Sequence, residues 1–393
     1  MRQGNIVEKI GSTIKGCMPS DKAFIALHEP VFQGNEWNYV KECLDTGWVS
    51  SVGKYVDRFE EMLCEYTGVK RAVAVVNGTA ALHICLKLVG VERNDEVLLP
   101  ALTFIATANA ISYTGAIPHF VDSCHKTLGL DPKKLGEYLQ EIAEVKNDGC
   151  YNKQTGRRIK AVVPMHTFGH PVDLDTLMEV CDRFRLELIE DAAESLGSFY
   201  KGRHTGNWGR VSALSFNGNK ITTTGGGGAI LTNDEELGKW AKHLTTTAKL
   251  PHKWEFVHDE IGYNYRMPNI NAALGCAQLE RLPDLVKQKR MLATVYQQAF
   301  STVEGVVFFS EPDFAVSNYW LNAIKLAPEW SHLRDEILQT TNEQGLMTRP
   351  IWKLLCDLGM YEGVPKMDLT VARELESTII NIPSSAFLGA AYV

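Results

Sequence analysis

The sequence has no paired cysteines, no excess of positive charge and no long uninterrupted apolar run. Its nine cysteines are scattered, and none stands in a CxxC pair. This spacing indicates neither a zinc site nor a disulfide framework, so we expect reduced thiols, a cytoplasmic location and no metal. The net charge of −7 implies no basic face, which argues against nucleic acid or an anionic membrane surface as a partner.

The most apolar stretch, VLLPALTFIATANAISYTGAIPHFV, is broken by Pro100, Asn109 and Pro118. Its length would permit a membrane helix. The breakers favour a buried strand, turn, helix and strand instead. The N-terminal sequence MRQGNIVEKIGSTIKG also carries no apolar signal core. We therefore expect a protein with no membrane partner.

Strand and helix patterns alternate from Arg71 onward. The predicted strands read RAVAVV, DEVLLP, IPHFVD, AVVPMH and LELIED, and the helices read TAALHICLKLVG, TFIATANAISYT and DLDTLMEVCDRFR. This alternation is typical of βαβ units. It predicts an α/β fold in which a mostly parallel central sheet is flanked by helices. A polar insertion at residues 145–160 separates two of the units.

The pattern changes beyond Gly262. A long amphipathic run, NAALGCAQLERLPDLVKQKRMLATVYQQAF, predicts a helix with a break at Pro283 as an alternative. Short strands in VVFF and YWLNAIKL and a helix near LRDEILQTTNEQG follow. We therefore expect an N-terminal segment (1–25) that packs on the smaller domain or on a partner, a large α/β domain (26–262) and a small α+β domain (263–393).

Residues that suit a ligand fall at the predicted strand ends, where parallel sheets bind their ligands. Asp191 ends LELIED, while Gly78 and Thr79 join a strand to a helix N-terminus that suits a phosphate. Lys220 lies in SFNGNKITTTGGGG, between a strand and a run of four glycines. Each also has an ordinary structural interpretation: a helix cap for Asp191 and Thr79, and a solvated surface lysine for Lys220.

Two further candidates are a phenylalanine and a histidine. Phe104 follows a strand in PALTF. There the pattern is compatible both with a core aromatic and with a ring that stacks on a ligand. His166 in MHTFGHP has a structural and a functional interpretation. The sequence does not decide between these alternatives.

One chemistry needs the whole set, and it is that of pyridoxal phosphate. The aldehyde of this cofactor requires a lysine amine, here Lys220. Its pyridine nitrogen requires a carboxylate such as Asp191 in order to stay protonated. Its phosphate requires backbone N–H groups at a helix N-terminus and hydroxyls such as that of Ser215. An apolar or aromatic cover over the ring completes the site.

The chain resembles the DegT/StrS family of sugar aminotransferases, which belong to the aspartate-aminotransferase fold type (pyridoxal-phosphate fold type I). The resemblance covers nearly the whole chain, and the matching segments are NGTAALHICL, LLPALTFIATANAI, HTFGHPVDL, LIEDAAESLGSFYKGRHTG, ALSFNGNKITTTGGGGAI and GYNYRMPNINAALGCAQLE. It implies that Lys220 forms the Schiff base and that Asp191 pairs with the pyridine nitrogen. The other cofactor-binding residues of the predicted site are Gly78, Thr79, Phe104, His166, Glu194, Ser215 and Asn264. Of these, Asn264 resembles the residue that reaches the phosphate from the neighbouring subunit, which implies a homodimer with shared active sites.

Two positions depart from the family pattern. Gly226 stands where many relatives have a glutamate, and we interpret it as the mark of a subgroup. Glu194 stands where relatives often have a glutamine, which leaves open its role near the cofactor or substrate. Some relatives carry histidine in place of the lysine and act as dehydratases, and Lys220 argues against that activity.

The segments SFNGNK, HTFGHP and TRPIWKLLCDLGMY resemble the LegC-type branch of the family. That resemblance implies transfer of an amino group from glutamate to a nucleotide-linked 4-keto-6-deoxy-N-acetylhexosamine. The product would serve legionaminic-type nonulosonic acid or surface glycan synthesis, and pyridoxamine phosphate would link the two half-reactions. A 3-keto sugar aminotransferase and a perosamine-type synthase of the same family stay open.

Two hypotheses from other classes also stay open. A non-catalytic regulator that binds pyridoxal phosphate would keep the fold, although the Lys220 and Asp191 pair argues against it. A nucleotide-binding α/β protein would need a glycine fingerprint after its first strand, and VVNGTAALH offers one glycine. The basic residues Lys249, Arg266 and Arg349 are candidates for the diphosphate or the donor carboxylates and stay unassigned.

Overall fold

The computed structural model describes residues 3–18 and 22–393. The helices in this part of the chain are α1 (Gln3–Gly16), α2 (Glu36–Thr46), α3 (Lys54–Thr67), α4 (Gly78–Leu88), α5 (Ile105–Tyr113), α6 (Pro132–Ile142), α7 (Leu174–Phe184), α8 (Glu235–Thr245), α9 (Asn269–Phe300), α10 (Arg334–Glu343), α11 (Thr370–Thr378) and α12 (Ala386–Ala390). The strands are β1 (Arg71–Val75), β2 (Glu96–Pro100), β3 (Ile117–Val121), β4 (Ala143–Lys146), β5 (Gly149–Asn152), β6 (Arg158–Val162), β7 (Glu187–Asp191), β8 (Phe199–Tyr200), β9 (Arg203–His204), β10 (Val211–Ser215), β11 (Gly228–Thr232), β12 (Val306–Phe308), β13 (Ala315–Val316), β14 (Asn322–Leu326), β15 (Arg349–Pro350) and β16 (Ile379–Ile382).

The central sheet has the strand order β1-β11-β10-β7-β6-β2-β3. The pairings from β10 through β7, β6 and β2 to β3 are all parallel. Strand β11 runs antiparallel to both of its neighbours, β1 and β10. The predicted α/β fold with a mostly parallel sheet is therefore confirmed, with one reversed strand inside the sheet.

Apolar side chains from both faces of the sheet enter separate cores. On β2, Val97 and Leu99 belong to the core formed with α3, α4 and α9, whereas Leu98 belongs to the core formed with α6 and α7. Both faces are thus covered by helices, which explains why β2 is buried along its whole length. Helix α4 begins at Asn77, whose side chain accepts a hydrogen bond from the Ala80 N–H.

The apolar stretch that first raised the membrane alternative forms β2, α5 and β3, as predicted. Among the described residues, no helix is both long enough and apolar enough to cross a membrane. The polar insertion at 145–160 differs from the expectation of a plain insertion. It forms most of the antiparallel hairpin β4-β5, which adds to the sheet beside β6.

Helix α9 runs unbroken through Pro283. A proline inside a helix removes one backbone hydrogen bond and crowds the preceding turn. Here Leu279, Leu282 and Leu285 are buried on either side of it, so packing of the helix against its neighbours offsets the loss. The predicted alternative of a break at Pro283 is therefore wrong.

The C-terminal part of the chain contains a second, antiparallel sheet with the order β12-β14-β16-β15. The N-terminal helix α1 packs against this part, because Ile6, Ile10 and Ile14 share a core with Tyr296 and Phe300 of α9. Helix α9 also contributes its first half to the core of the large sheet. Since one helix serves both cores, the domain boundary at 262/263 stays a prediction.

Candidate active site

The predicted strand-end residues meet at one edge of the central sheet. Asp191 is the last residue of β7, and Ser215 is the last residue of β10. These strands are parallel neighbours, so their carboxyl ends lie side by side. Met165 forms a bridge with Asp191, which brings the following residue, His166, to the same edge. This edge is where α/β sheets bind their ligands.

The glycine-rich stretch after β10 folds into a closed loop. The Phe216 N–H donates to the Gly227 carbonyl at 2.8 Å, and the Thr224 N–H donates to the Phe216 carbonyl at 3.0 Å. Gly225 adopts a φ of 80°, a conformation that favours glycine. The loop turns the Lys220 side chain inward, where only 12% of it is exposed. The glycine run therefore lets the chain close tightly and place this lysine in the cleft.

Two groups hold the Lys220 ammonium. Its Nζ lies 3.3 Å from Glu194 Oε1 and 3.9 Å from the centre of the Trp320 indole ring. The Trp320 Nε1 donates to the Asn219 carbonyl at 2.7 Å. Asn318 connects the two sides, because its Oδ1 accepts from the Trp320 N–H and its Nδ2 donates to the Glu194 carbonyl.

Sequence reasoning missed Trp320 and Asn318. They lie about a hundred residues after Lys220, in the loop between β13 and β14, and no local motif marks them. The run YWLNAIKL suggested only a strand. Their proximity to the lysine depends on how the C-terminal part packs on the central sheet, and that packing is not encoded in a short pattern.

Asp191 is buried, with 3% of the residue exposed. Its Oδ2 accepts from Thr107 Oγ1 at 2.7 Å, and its Oδ1 accepts from the Ala193 N–H at 3.2 Å. Burial raises the pKa of this carboxyl above its usual range, although the two hydrogen bonds oppose the shift. A buried carboxylate of this kind is stabilised by a cationic group placed against it.

Glu194 is the second buried acid of the site, with 3% of the residue exposed. Its Oε2 accepts from the Phe168 N–H at 2.9 Å, and Phe168 adopts a left-handed φ of 57°. Burial raises the pKa of Glu194 to about 7, while the Lys220 ammonium opposes that shift. Its Oε1 is the oxygen that meets Lys220, so this residue is part of the lysine's surroundings rather than of the surface.

The N-terminus of α4 lies against the end of β10. A Cβ added to Gly78 would come within 2.9 Å of the Ser215 Cβ and 3.2 Å of its Oγ. A Cβ on Gly228 would fall 2.5 Å from the Asn77 backbone. The glycines therefore allow strand ends and helix N-terminus to approach closely. The structure brings Gly78, Thr79 and Ser215 into one cradle of N–H and hydroxyl groups of the kind that binds a phosphate.

His166 lies beside the site, but both of its ring nitrogens are used inside the protein. Its Nε2 lies 3.0 Å from Glu190 Oε2, and its Nδ1 accepts from the Val172 N–H at 3.3 Å. Glu190 also accepts from the N–H groups of Gly206, Trp208 and Gly209. This geometry favours the structural interpretation of His166, and contact with the cofactor through its ring stays a prediction.

Two predicted residues lie at exposed positions. Phe104 is 50% exposed at the N-cap of α5, a place from which a ring can cover a ligand. Asn264 is exposed, and its Oδ1 accepts from Arg266. Within the described chain, no hydrogen bond joins Asn264 to the phosphate cradle.

The other basic candidates contact residues elsewhere. Lys249 lies over the Phe256 ring, and Arg349 bonds to Asn342 and Thr348. Neither of them contacts Lys220 or Asp191 in the described part of the chain. Both therefore stay unassigned.

The residues present fit pyridoxal phosphate. Asp191 is a buried carboxylate that lacks a salt-bridge partner among the described residues, and a protonated ring nitrogen would satisfy it. Lys220 carries an amine that could bind the aldehyde, and the cradle at α4 suits the phosphate. The fold and this set of residues are those of a pyridoxal-phosphate-dependent transferase.

The chain belongs to the DegT/DnrJ/EryC1/StrS aminotransferase family, whose profile matches residues 31–393. It is 36% identical over 372 residues to GDP-perosamine synthase of Caulobacter vibrioides, covering 94% of this chain and 95% of that protein. Among solved structures it is similar to PseC of Helicobacter pylori, an aminotransferase involved in the biosynthesis of pseudoaminic acid. That match has a TM-score of 0.83 and 25% identity, and covers 92% of this chain and 94% of that one.

A third similar protein bears on the cofactor. Spr1654 of Streptococcus pneumoniae was solved in a PLP form and a PMP form. Its PLP form matches with a TM-score of 0.83 and 25% identity, and covers 92% of this chain and 93% of that one. The chain is thus a pyridoxal-phosphate-dependent sugar aminotransferase, and its cofactor is pyridoxal phosphate.

Proposed function

We propose that this enzyme transfers the amino group of glutamate to the ketone of a nucleotide-linked 4-keto-6-deoxy-N-acetylhexosamine. The product would be a 4-amino-4,6-dideoxy sugar nucleotide for a legionaminic-type nonulosonic acid or a surface glycan. The observation that carries the chemistry is the grouping of Lys220, Glu194 and Asp191 in one cleft. The similarity to PseC supports the sugar class, and the LegC-like segments support the branch.

Each residue of the cleft has a proposed role. Pyridoxal phosphate supplies an electron sink and carries the amino group between substrates. Asp191 keeps the ring nitrogen protonated, and its buried position makes that pairing strong. The α4 cradle and Ser215 hold the phosphate, while Phe104 covers the ring. Lys220 binds the cofactor when substrate is absent.

Lys220 also moves the proton. Once its amine is free, Lys220 Nζ would remove the proton from the amino-bearing carbon of glutamate and deliver it to the bound cofactor during the first half-reaction. In the second half-reaction the transfer runs in the opposite sense toward the sugar. Glu194 and Trp320 both lie within 4 Å of Lys220 Nζ. They therefore fix the position from which the amine transfers the proton, and they shield the amine from water.

A perosamine-type synthase is the second candidate. The observation that favours it is the 36% identity to GDP-perosamine synthase over nearly the full length of both chains. The two candidates differ in the nucleotide and in the sugar substituents that the site must accept. They share the cofactor chemistry, so only the sugar substrate separates them.

The functional unit we propose is a homodimer with composite sites. An exposed hairpin follows α8, in which the Leu250 N–H donates to the Val257 carbonyl at 2.8 Å. Trp254, Phe256 and Ile261 are 72%, 80% and 85% exposed. Large apolar side chains grouped on a surface indicate an interaction site. This hairpin leads directly to Asn264, which supports the prediction that Asn264 serves the neighbouring subunit.

The function is tested by supplying glutamate with a panel of ketosugars. The panel contains the UDP-linked 4-keto-6-deoxy-N-acetylhexosamine, the GDP-linked ketosugar that would yield perosamine, and a 3-keto sugar nucleotide. We expect the N-acetylated 4-ketosugar to give the highest kcat/KM, with the new amine at C4 by NMR. Preference for the GDP-linked sugar would select the second candidate, and amination at C3 alone would reject both.

Lys220→Ala is the matched control for every substrate. It should retain the fold but give no product. Borohydride reduction of the wild-type enzyme followed by peptide mapping should place the cofactor on Lys220. A label on another lysine would overturn the assignment.

A further inference from the structure

The segment just before Pro30 packs against the turn between β16 and α12. The Ser384 N–H donates to the Leu27 carbonyl at 2.7 Å, and the Glu29 N–H donates to Ser385 Oγ at 2.8 Å. His28 lies between these two bonds, so its backbone is fixed against the C-terminal part of the chain. His28 has no role in the cofactor binding or proton transfer proposed above.

The His28 ring contains an unsatisfied polar atom. Its Nδ1 is shielded from solvent and has no hydrogen-bond partner, although the residue as a whole is partly exposed. Leaving a buried polar atom unpaired is unfavourable. A hydrogen bond to a ligand would satisfy this atom.

His28 is close enough to Lys220 for the lysine to act on its ionisation. Burial lowers the pKa of His28 well below its usual range, and the ammonium groups of Lys289 and Lys220 lower it further. The imidazole is therefore neutral near pH 7. A neutral ring offers one hydrogen-bond donor and one acceptor, which matches a hydroxyl group.

Lys289 links His28 to the wall of the lysine site. It is fully buried, and its Nζ donates to the carbonyls of Trp320 and Ser384. Trp320 covers Lys220, and Ser384 holds the segment that carries His28. One buried lysine thus ties the backbone of Trp320, whose ring lies over Lys220, to the backbone beneath His28.

We propose that His28 is a specificity-determining residue that hydrogen-bonds a hydroxyl of the ketosugar near its reacting ketone. The proposal rests on the proposed function of the enzyme. The donor carboxylates of glutamate are a poorer match, because a single neutral imidazole offers them one bond. Neither neighbouring lysine adds a bond for a carboxylate, because Lys289 donates to two backbone carbonyls and Lys220 is bound to the cofactor.

The test separates the two half-reactions in the holoenzyme. The pyridoxal phosphate form is mixed with glutamate alone, and the pyridoxamine phosphate form is mixed with the ketosugar alone. Each rate is followed by the absorbance of the bound cofactor. His28→Leu removes the hydrogen bond at similar size, and His28→Asn keeps a polar atom near the position of Nδ1.

We expect His28→Leu to react with glutamate within about twofold of the wild type and with the ketosugar roughly tenfold more slowly, as the loss of one hydrogen bond predicts. His28→Asn should recover most of that loss. An analogue without the hydroxyl beside the ketone should react more slowly with the wild type but not with His28→Leu. That combination identifies a direct contact with the sugar.

Four results would overturn the inference. Equal slowing of both half-reactions would give His28 a structural role, and slowing with glutamate alone would assign it to the donor. Unchanged rates in both would show that the ring contacts neither substrate. Wild-type inactivity toward every ketosugar, with a normal glutamate half-reaction, would instead reject the proposed sugar substrate and this contact with it.

Discussion

The indole ring of Trp320 lies over the amine of Lys220, with Nζ 3.9 Å from the ring centre. The same indole donates through Nε1 to the carbonyl of Asn219, the residue before the lysine. Trp320 therefore fixes both the backbone of the loop and the head of the side chain. A ring face attracts an ammonium group, so this contact positions Lys220 whenever its amine is free and protonated.

Replacing Trp320 should slow turnover without unfolding the protein. Trp320→Leu removes the ring face and leaves the Asn219 carbonyl without its donor, which together predict a roughly tenfold loss in kcat. Trp320→Phe keeps the ring face and should lose less. Steady-state kinetics with glutamate and the ketosugar measure both. Trp330→Leu, in the core that α1 and α9 share with the second sheet, is the control, and an equal loss of kcat there would remove the special role of Trp320.

Asp191→Asn should nearly abolish activity while the fold holds. The Thr107 hydroxyl can reverse its direction and accept from the new amide, so the local hydrogen bond survives. The cofactor nitrogen loses its anionic partner, and we expect at least about a hundredfold loss in kcat, or roughly 3 kcal/mol. Thr107→Val should lose less, because the carboxylate remains. Near-normal kcat in a folded Asp191→Asn protein would exclude the assigned role.

Gly78→Ala should weaken cofactor binding. The added Cβ would come within 2.9 Å of the Ser215 Cβ, so the helix N-terminus must move away from the end of β10 and open the phosphate cradle. Gly218→Ala is the matched control in the same region, because its Cβ would meet nothing within 4 Å. Titration of the apoprotein with pyridoxal phosphate measures both. Equal affinity in the two variants would contradict a phosphate site at Gly78.

Glu194→Gln should change how the stability of the apoprotein depends on pH. The pKa of Glu194 is raised from 4.5 to about 7, so the folded chain keeps a proton that the unfolded chain releases within this window. The stabilising contribution of the protonated group is complete below pH 4.5 and is lost as pH rises through about 7. The Gln variant lacks this loss, at about 1.4 kcal/mol for each pKa unit.

Urea unfolding at pH 5 and pH 8 measures that difference. The free energy of unfolding of Glu194→Gln minus that of the wild type should be larger at pH 8 than at pH 5, which means that the variant gains relative stability as pH rises. Glu179→Gln changes an exposed carboxyl on α7 and should follow the wild type at both values. A constant difference between Glu194→Gln and the wild type would show that Glu194 is not protonated in the folded apoprotein near neutral pH.

The parts of the molecule that could be predicted from sequence are those with local signals. The strand LELIED and its final Asp191 follow from an apolar run that ends in a carboxylate, and Lys220 is marked by the glycines after it. The hairpin β4-β5 is missed because its residues, AEVKNDGCYN, contain no apolar run. As an edge hairpin it leaves much of β4 in solvent, so an apolar run is not required there.

Long-range contacts explain the other omissions. Trp320 and His28 lie far from Lys220 in the sequence, one after it and one before it. The buried Lys289 on α9 connects Trp320 to the segment that holds His28. A lysine in an amphipathic run is ordinarily assigned to solvent, because burial of an ammonium is costly. Only the fold shows that two backbone carbonyls receive it.

The last prediction concerns the partner subunit. If Asn264 reaches the neighbour's phosphate, Asn264→Asp should weaken cofactor binding, because a new carboxylate repels the phosphate and also draws Arg266 toward itself. Lys220→Ala is inactive for a different reason, since it lacks the amine. A two-fold dimer that combines one chain of each variant then contains one site with both defects and one intact site.

Mixing the two inactive variants should therefore restore activity. Random exchange makes about half of the dimers mixed, each with one intact site of two, so about a quarter of wild-type activity should return. Subunit exchange is verified with differently tagged chains, and each variant mixed with itself is the control. If exchange occurs and activity does not return, Asn264 serves the site of its own chain, because in that case every mixed dimer holds one site damaged at Lys220 and one damaged at Asn264.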